Sequence, residues 1–271
     1  MIIDFHTHTF PDAISERTVA YLAQKGGLPP HRGGTAEELR RSMKAGGIDV
    51  SVVLPVATLP KQERSINALS AAENGRGGLY YAGGIHPDCA DVGGTLDFIK
   101  ESGLFGIKLH PDYQGVHFDD ERYLRILEAA FDRGLYVVTH AGVDVGFRDH
   151  VHCTTDMILN VLEKLGGKAE DRLILAHLGG YEAPDEVLQR LCGLPVYMDT
   201  AAVLELYPDK CLDIIRAHGA DRILFATDSP WADQGEYVRI VKSFGLGREE
   251  EEMILHKNAE RILGISFDPR S

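Results

Sequence analysis

Short apolar runs recur along the chain, each followed by a longer stretch whose apolar positions return at helical spacing. The runs cover residues 1–5, 49–55, 79–85, 104–109, 135–139, 173–176, 195–198 and 223–226. Several are β-branched or aromatic. They are too short for helices and read as buried parallel strands. Helical patterns fall between them at residues 35–45, 62–74, 120–133, 156–165, 184–191 and 209–218. Within one of these, Tyr123, Ile126, Leu127, Ala130 and Phe131 keep the i, i+3, i+4 spacing of a single buried face. Eight strands alternating with helices over 271 residues predict an α/β fold, a single (β/α)8 barrel, with residues 248–265 as a C-terminal closing helix. The competing architecture, an open doubly wound sheet, needs a Gly-rich phosphate turn after its first strand. The chain there reads His6-Thr7-His8-Thr9-Phe10-Pro11, and no phosphate-binding glycine motif follows any run. With no linker, repeat or low-complexity tract, residues 1–271 read as one domain. Two long connections, residues 9–34 and 141–153, are expected to be loops on the face where the strands end. The acidic run at residues 249–252 reads as a solvated first helical turn.

Polar chemistry collects where the apolar runs stop. His6 and His8 end the first run two residues apart, so both side chains can point to one side of an extended chain. His86 follows the third run, His110 the fourth, His140 the fifth and His177 the sixth, while Asp228 follows the eighth. Barrel closure sets the eighth strand beside the first, so these groups converge around one axis. Neutral imidazoles and a carboxylate suit a divalent transition metal, and an incomplete ligand set leaves a position for water. Asp228 is then placed to accept a proton from that water. A lone histidine at a strand end is commonly a hydrogen-bonded structural residue, but five such placements on one rim argue against that for His6, His8, His140, His177 and Asp228. His86 and His110 suit either role equally. His31, His117, His218 and His256 are expected at the surface, and His150 and His152 stand beside Arg148 in the loop after the fifth strand.

These residues resemble the amidohydrolase superfamily of metal-dependent barrels. The stretch from Asp4 to His8 is similar to its strand-1 HxH signature, His140 and His177 to its strand-5 and strand-6 histidines, and Asp228 to its strand-8 aspartate. His256-Lys257-Asn258-Ala259 is similar to an Asn-Ala turn before its last helix, so the resemblance spans nearly the whole chain. It implies that His6, His8, His140 and Asp228 ligate metal, and that His177 binds a second metal or polarises substrate. Lys108 occupies the place where binuclear members such as dihydroorotases carry a carboxylated lysine between two metals. The length of the chain and its Thr227–Trp231 stretch look more like the compact, mostly mononuclear branch, which includes aminocarboxymuconate-semialdehyde decarboxylases and various lactone or amide hydrolases. In that case Lys108 is a substrate-facing cation or a structural lysine. TatD-type deoxyribonucleases share two short stretches but place a glutamate where this chain has Lys108.

The function expected is hydrolysis of a small-molecule amide, lactone or ester-like bond by metal-activated water. Zinc, one or two per chain, is the first expectation, with manganese or iron as alternatives. The rival on the same fold is a non-oxidative decarboxylase, and the rival from another class is a non-catalytic metal-binding protein. Catalysis falls to Asp228 and His177, and substrate contacts to Lys108, His86, His110, Arg148 and Trp231.

Charge and cysteine usage narrow the partners. Asp and Glu number 41 against 28 Lys and Arg, a formal net charge of −13. That disfavours nucleic acid, whose phosphates need a basic footprint. Cys89, Cys153, Cys192 and Cys211 lack ligand spacing and read as free thiols of a reducing compartment. The start of the chain lacks a basic, then apolar, leader pattern, and no apolar run is long enough for a membrane span. The expectation is a soluble cytoplasmic protein acting on a small molecule, without nucleic acid or membrane partners. The family resemblance adds a homodimer.

Overall fold

The computed structural model describes residues 1–266. Eight parallel strands succeed one another in chain order: β1 (Ile3–Thr7), β2 (Val50–Val53), β3 (Leu79–Tyr81, resumed after Ala82 by Gly83–Gly84), β4 (Gly106–Leu109), β5 (Tyr136–Thr139), β6 (Leu173–Leu175), β7 (Tyr197–Asp199) and β8 (Ile223–Leu224). Each pairs in parallel with the next. The ring closes where the chain beyond β8 meets β1. Phe5 N donates to Phe225 O (2.8 Å), Asp228 N to His6 O (2.9 Å) and His8 N to Ser229 O (2.7 Å). The expected (β/α)8 barrel is therefore the fold.

Alternation along the strands divides the core in two. Ile3, Phe5, Val52, Val138, Ile174 and Leu224 pack together inside the barrel. Ile107, Val137 and Leu173 face outward against helix residues such as Leu96, Tyr123 and Ile158. Each such side chain contributes about 1.5–3 kcal/mol by leaving water.

The helices follow the expected patterns with local reasons for their ends. Thr35 and Glu38 form a capping box on the helix Ala36–Gly46, and Thr154 caps Thr155–Leu165 through Met157 N. Asp120 caps Glu121–Asp132, which buries Tyr123, Ile126, Leu127, Ala130 and Phe131. The closing helix comes in three pieces, Arg248–Glu252, a π-helical turn at Met253–Lys257, and Asn258–Leu263. Its Ala259 and Ile262 join the inner core, and Ile265 with Phe105 and Tyr136 packs against it, so this segment covers the barrel end where strands begin. Residues 249 and 250 of the acidic run are exposed, as expected of a first helical turn.

Residues 9–34 are not simply a loop, because they contain the helix Asp12–Gly26. Only Ser15 and Val19 of it are buried, so its sequence carries almost no apolar stripe. The helix lies over the strand-end face, with Lys25 Nζ 3.3 Å from the ring centroid of Phe147 in the loop at residues 141–153. No helix among the described residues is long and apolar enough to cross a membrane.

Candidate metal centre

A bulge in β1 sets the geometry. The register against β2 shifts between Asp4 and Thr7, so one extra residue lies on β1. Phe5 and the next residue, His6, consequently both serve the barrel interior: Phe5 packs with Val138, and His6 Nε2 lies 3.3 Å from Nζ of Lys108, the register partner of Val138. Asp4 points the other way, where Thr227 Oγ1 (2.6 Å) and Gln234 Nε2 (2.7 Å) donate to it, tying β1 to the chain after β8. Burial pushes the Asp4 carboxyl up to about 6.

His6, His8 and Asp228 meet at the mouth. His6 Nε2 and His8 Nε2 are 3.2 Å apart, and Asp228 Oδ1 stands 3.4 Å from the first and 3.1 Å from the second. The outer ring nitrogens are held elsewhere. His6 Nδ1 bonds Asp199 Oδ2 (2.8 Å), and His8 Nδ1 bonds the Leu54 carbonyl (2.9 Å). Both acceptors require a proton on Nδ1, so in the neutral rings both Nε2 atoms present lone pairs to each other. Burial lowers the His6 pKa well below the ordinary value, which keeps that ring neutral. Lys108 Nζ reaches only His6 of the three, so two lone pairs and a carboxylate face to face still repel unless a cation lies among them. Their 3.1–3.4 Å separations match the roughly 3.3 Å edge of a tetrahedral site with bonds of about 2.0–2.1 Å. The donor set fits a divalent transition metal, for which Asp199 would be the carboxylate that orients the His6 imidazole.

Asp228 is placed by its backbone as well as its neighbours. Its φ is +69°, and that of His177 is +59°, both in the left-handed region that side chains other than glycine rarely adopt. Burial pushes the Asp228 carboxyl up, but once the neighbouring rings are protonated, the His8 hydrogen bond and the charges of His6, His8 and His177 outweigh it and hold the pKa down to about 2. The carboxyl is ionised at neutral pH.

A second group adjoins the first. His177 Nδ1 bonds the Ala201 carbonyl (2.9 Å), leaving Nε2 to face His140 Nδ1 at 3.0 Å. His140 stacks on His110 with ring centroids 4.4 Å apart, and His110 Nε2 lies 3.5 Å from Asp144 Oδ2. His140 Nε2 and His110 Nδ1 are buried without hydrogen-bond partners. His177 bridges the groups, its ring 5.5 Å from that of His6. The ligand set that the sequence suggested is thus divided: His6, His8 and Asp228 stand as a trio, His140 stacks instead on His110, and His177 lies between. Burial lowers the pKa of His110, His140 and His177 alike. Lys108 is buried beneath the trio, its pKa pushed down to about 8 by burial, and it makes no salt bridge among the described residues.

The remaining sequence candidates fall outside this group. His86 Nδ1 accepts from Asp88 N at 3.1 Å, a local turn bond. Arg148, exposed, gives Nη1 to both carboxylate oxygens of Glu182. Trp231 is partly buried, with its N bonded to the Asp228 carbonyl. His218, expected at the surface, is buried instead: its Nε2 bonds the Val196 carbonyl at 2.8 Å, where it ties a helix to the start of β7.

Asp199, Asp144 and Asp112 are the site carboxylates that sequence reasoning passed over. A signal existed for Asp199, which ends an apolar run as Asp228 does. Asp144 and Asp112 lie in connections without pattern, and only the fold brings them in.

The sequence matches a family model described as amidohydrolase over residues 3–265. Among solved structures, a 2,6-dihydroxybenzoate decarboxylase from Rhizobium is similar at 15% identity and a TM-score of 0.73, over 97% of this chain and 98% of that one. A 5-carboxyvanillate decarboxylase from Sphingomonas paucimobilis is similar at 16% identity and a TM-score of 0.69, over 98% of this chain and 99% of the other. A protein assigned as a 2-pyrone-4,6-dicarboxylic acid hydrolase from Pseudomonas putida gives 17% identity and a TM-score of 0.67, with 98% of each chain covered. No curated protein sequence matches significantly.

Proposed function

The chain belongs to the amidohydrolase family, and from that membership we propose that it is a metal-dependent hydrolase of a small-molecule amide, lactone or ester-like bond. The observation that carries the reading is the trio of His6 Nε2, His8 Nε2 and Asp228 Oδ1 at 3.1–3.4 Å from one another, two of them lone pairs with fixed tautomers. His6, His8 and Asp228 would hold the metal, with His177 Nε2 and His140 at the edge of the same space. Zinc is the metal we favour, since imidazole and carboxylate at these spacings suit it. When bound, such a metal supplies Lewis-acid polarisation of a carbonyl and lowers the pKa of water.

The protein's own groups do the rest. Asp228, ionised at neutral pH, accepts the proton of the attacking water and returns it to the leaving group. Asp199 holds His6 in one tautomer through Nδ1. Neutral His177 offers a lone pair at Nε2, because Nδ1–H is committed to Ala201. It therefore acts as ligand or proton acceptor, and it stabilises an oxyanion only once Nε2 is also protonated. With metal held saturating, Asp228→Asn is expected to lower kcat about a hundred- to ten-thousandfold while substrate still binds. An Asn variant with normal turnover contradicts the role.

Decarboxylation is the second reading, and Lys108 is the observation that favours it. A buried amine without a carboxylate partner is suited to holding an anionic substrate group at the floor of the mouth. Two of the similar structures are decarboxylases of carboxylated aromatic compounds by name. The same amine, with its pKa near 8, keeps enough free base to combine with carbon dioxide, as a bridging carboxylated lysine requires. Intact mass in bicarbonate buffer separates the two roles of Lys108. Assaying a panel of lactones, amides and phenolic acids for ring opening and carbon dioxide release separates the reactions.

A further inference from the structure

Three histidines outside the mouth form a cluster of their own. His117 lies in the connection after β4, and His150 and His152 lie at the end of the loop after β5, more than 30 residues away. His117 Nε2 and His150 Nε2 are 2.8 Å apart, and the His150 and His152 rings are 4.5 Å apart. One nitrogen from each of the three falls within 4.8 Å of the others. His117 and His150 are exposed and His152 is partly buried, so the cluster opens to solvent.

The third histidine is held from behind. His152 Nδ1 bonds Asp112 Oδ1 at 3.0 Å, and His152 N donates to the same oxygen at 3.2 Å. Asp112 is buried, and its Oδ2 has no hydrogen-bond partner. A carboxylate on Nδ1 fixes the proton there and leaves Nε2 as a lone pair, the arrangement found behind ligating imidazoles. Phe118 N donates to the His152 carbonyl at 2.8 Å, which fixes the two connections side by side.

A simple hydrogen bond between His117 and His150 accounts for one contact. It gives no reason for a third imidazole to be brought to the same point by a buried carboxylate. We propose that His117, His150 and His152 form a second metal site, separate from the mouth, for a borderline transition ion of the zinc, nickel, cobalt or copper class. Imidazole donors select those ions, whereas magnesium and calcium prefer oxygen. Three protein donors leave a fourth position for water or a ligand from solution. The 2.8 Å separation of His117 and His150 opens by about half an ångström to meet a tetrahedral edge, a movement exposed side chains make freely. The bound ion would cross-link the connections after β4 and β5. Asp112 stands between the two centres, since its Oδ2 lies 3.8 Å from His140 Nε2.

The test uses Zn2+ on the whole, metal-stripped protein, and its readouts are independent of activity. The wild type and a His117→Gln/His150→Gln variant are loaded, passed through gel filtration into metal-free buffer, and analysed for zinc per chain. A variant with the mouth disabled, His8→Asn, is treated in parallel, so that failure of the mouth reading shows separately. The wild type is expected to retain one zinc more than the double variant. The His8→Asn protein keeps the outer zinc, and Asp112→Asn weakens that outer site about ten- to a hundredfold. Amide exchange in residues 143–151 slows on zinc addition in the wild type and stays unchanged in the double variant. Equal zinc retention by wild type and double variant, with equal exchange, overturns the proposal.

Discussion

At the scale of single residues, burial sets the chemistry, and Asp144 shows how to read its sign. Burial pushes its carboxyl up to about 6, while the unfolded chain keeps an ordinary value near 3.9. Between those values the native state binds the additional proton, so stability falls as pH rises through that window. Above about pH 6 the buried charge costs its full amount, about 2–3 kcal/mol. Metal-free Asp144→Asn should therefore be more stable than metal-free wild type near pH 8, and the gap should close towards about pH 4. Asn keeps the oxygen that accepts from Gly146 N at 2.7 Å, so the local turn survives the substitution. A gap that is absent, or constant with pH, refutes the assignment, and denaturant midpoints at several pH values measure it. The convergence at the mouth could be anticipated, because His6, His8, His140, His177 and Asp228 each follow an apolar run that a barrel must end at one face. Their division into a trio and a stack could not, because tautomers and ring directions depend on Leu54, Ala201 and Asp199, which are distant in sequence.

Secondary-structure elements place these groups through features that periodicity does not show. The β1 bulge turns His6 inward, and a hydrophobic pattern carries no mark of one extra residue. The helix Asp12–Gly26 escaped because it buries only Ser15 and Val19 along its length. By contrast, the helix Glu121–Asp132 was legible residue by residue, since its buried side chains are the periodic ones. Gly142, two residues after His140, marks where the loop after β5 leaves the barrel. Its φ is +84°, and a Cβ there would collide with the backbone N and O of Tyr181, with which Gly142 forms a bridge. Gly142→Ala should cost about 2–3 kcal/mol through backbone strain and displacement. It should also weaken metal retention at the mouth by moving His140. Thermal unfolding of the metal-free protein and zinc retention check both effects, and unchanged values for both would show that this turn does not position the site.

Across the whole molecule, closure of the barrel is what makes one site from residues at opposite ends of the chain. The pairing of Phe5 with Phe225 and of His6 with Asp228 brings the first and last candidate ligands together. Length and alternation predicted that closure without the hydrogen bonds that make it. The segment sealing the other end is anchored by Asn258, whose Nδ2 donates to the carbonyls of Ala220 and Ile223, each at 2.7 Å. Asn258→Ala leaves those acceptors short of a partner and should lower stability by about 2–3 kcal/mol, read from the denaturant midpoint. No change in midpoint would mean that the anchor contributes nothing. The central claim remains that the mouth binds a divalent metal through His6, His8 and Asp228. Elemental analysis of the His117→Gln/His150→Gln protein tests it most directly, because the outer cluster no longer contributes. The account predicts at least one tightly held transition metal per chain in that protein, lost when His8→Asn or Asp228→Asn is added. Finding no metal after growth in supplemented medium, or finding it undiminished by those substitutions, would contradict it.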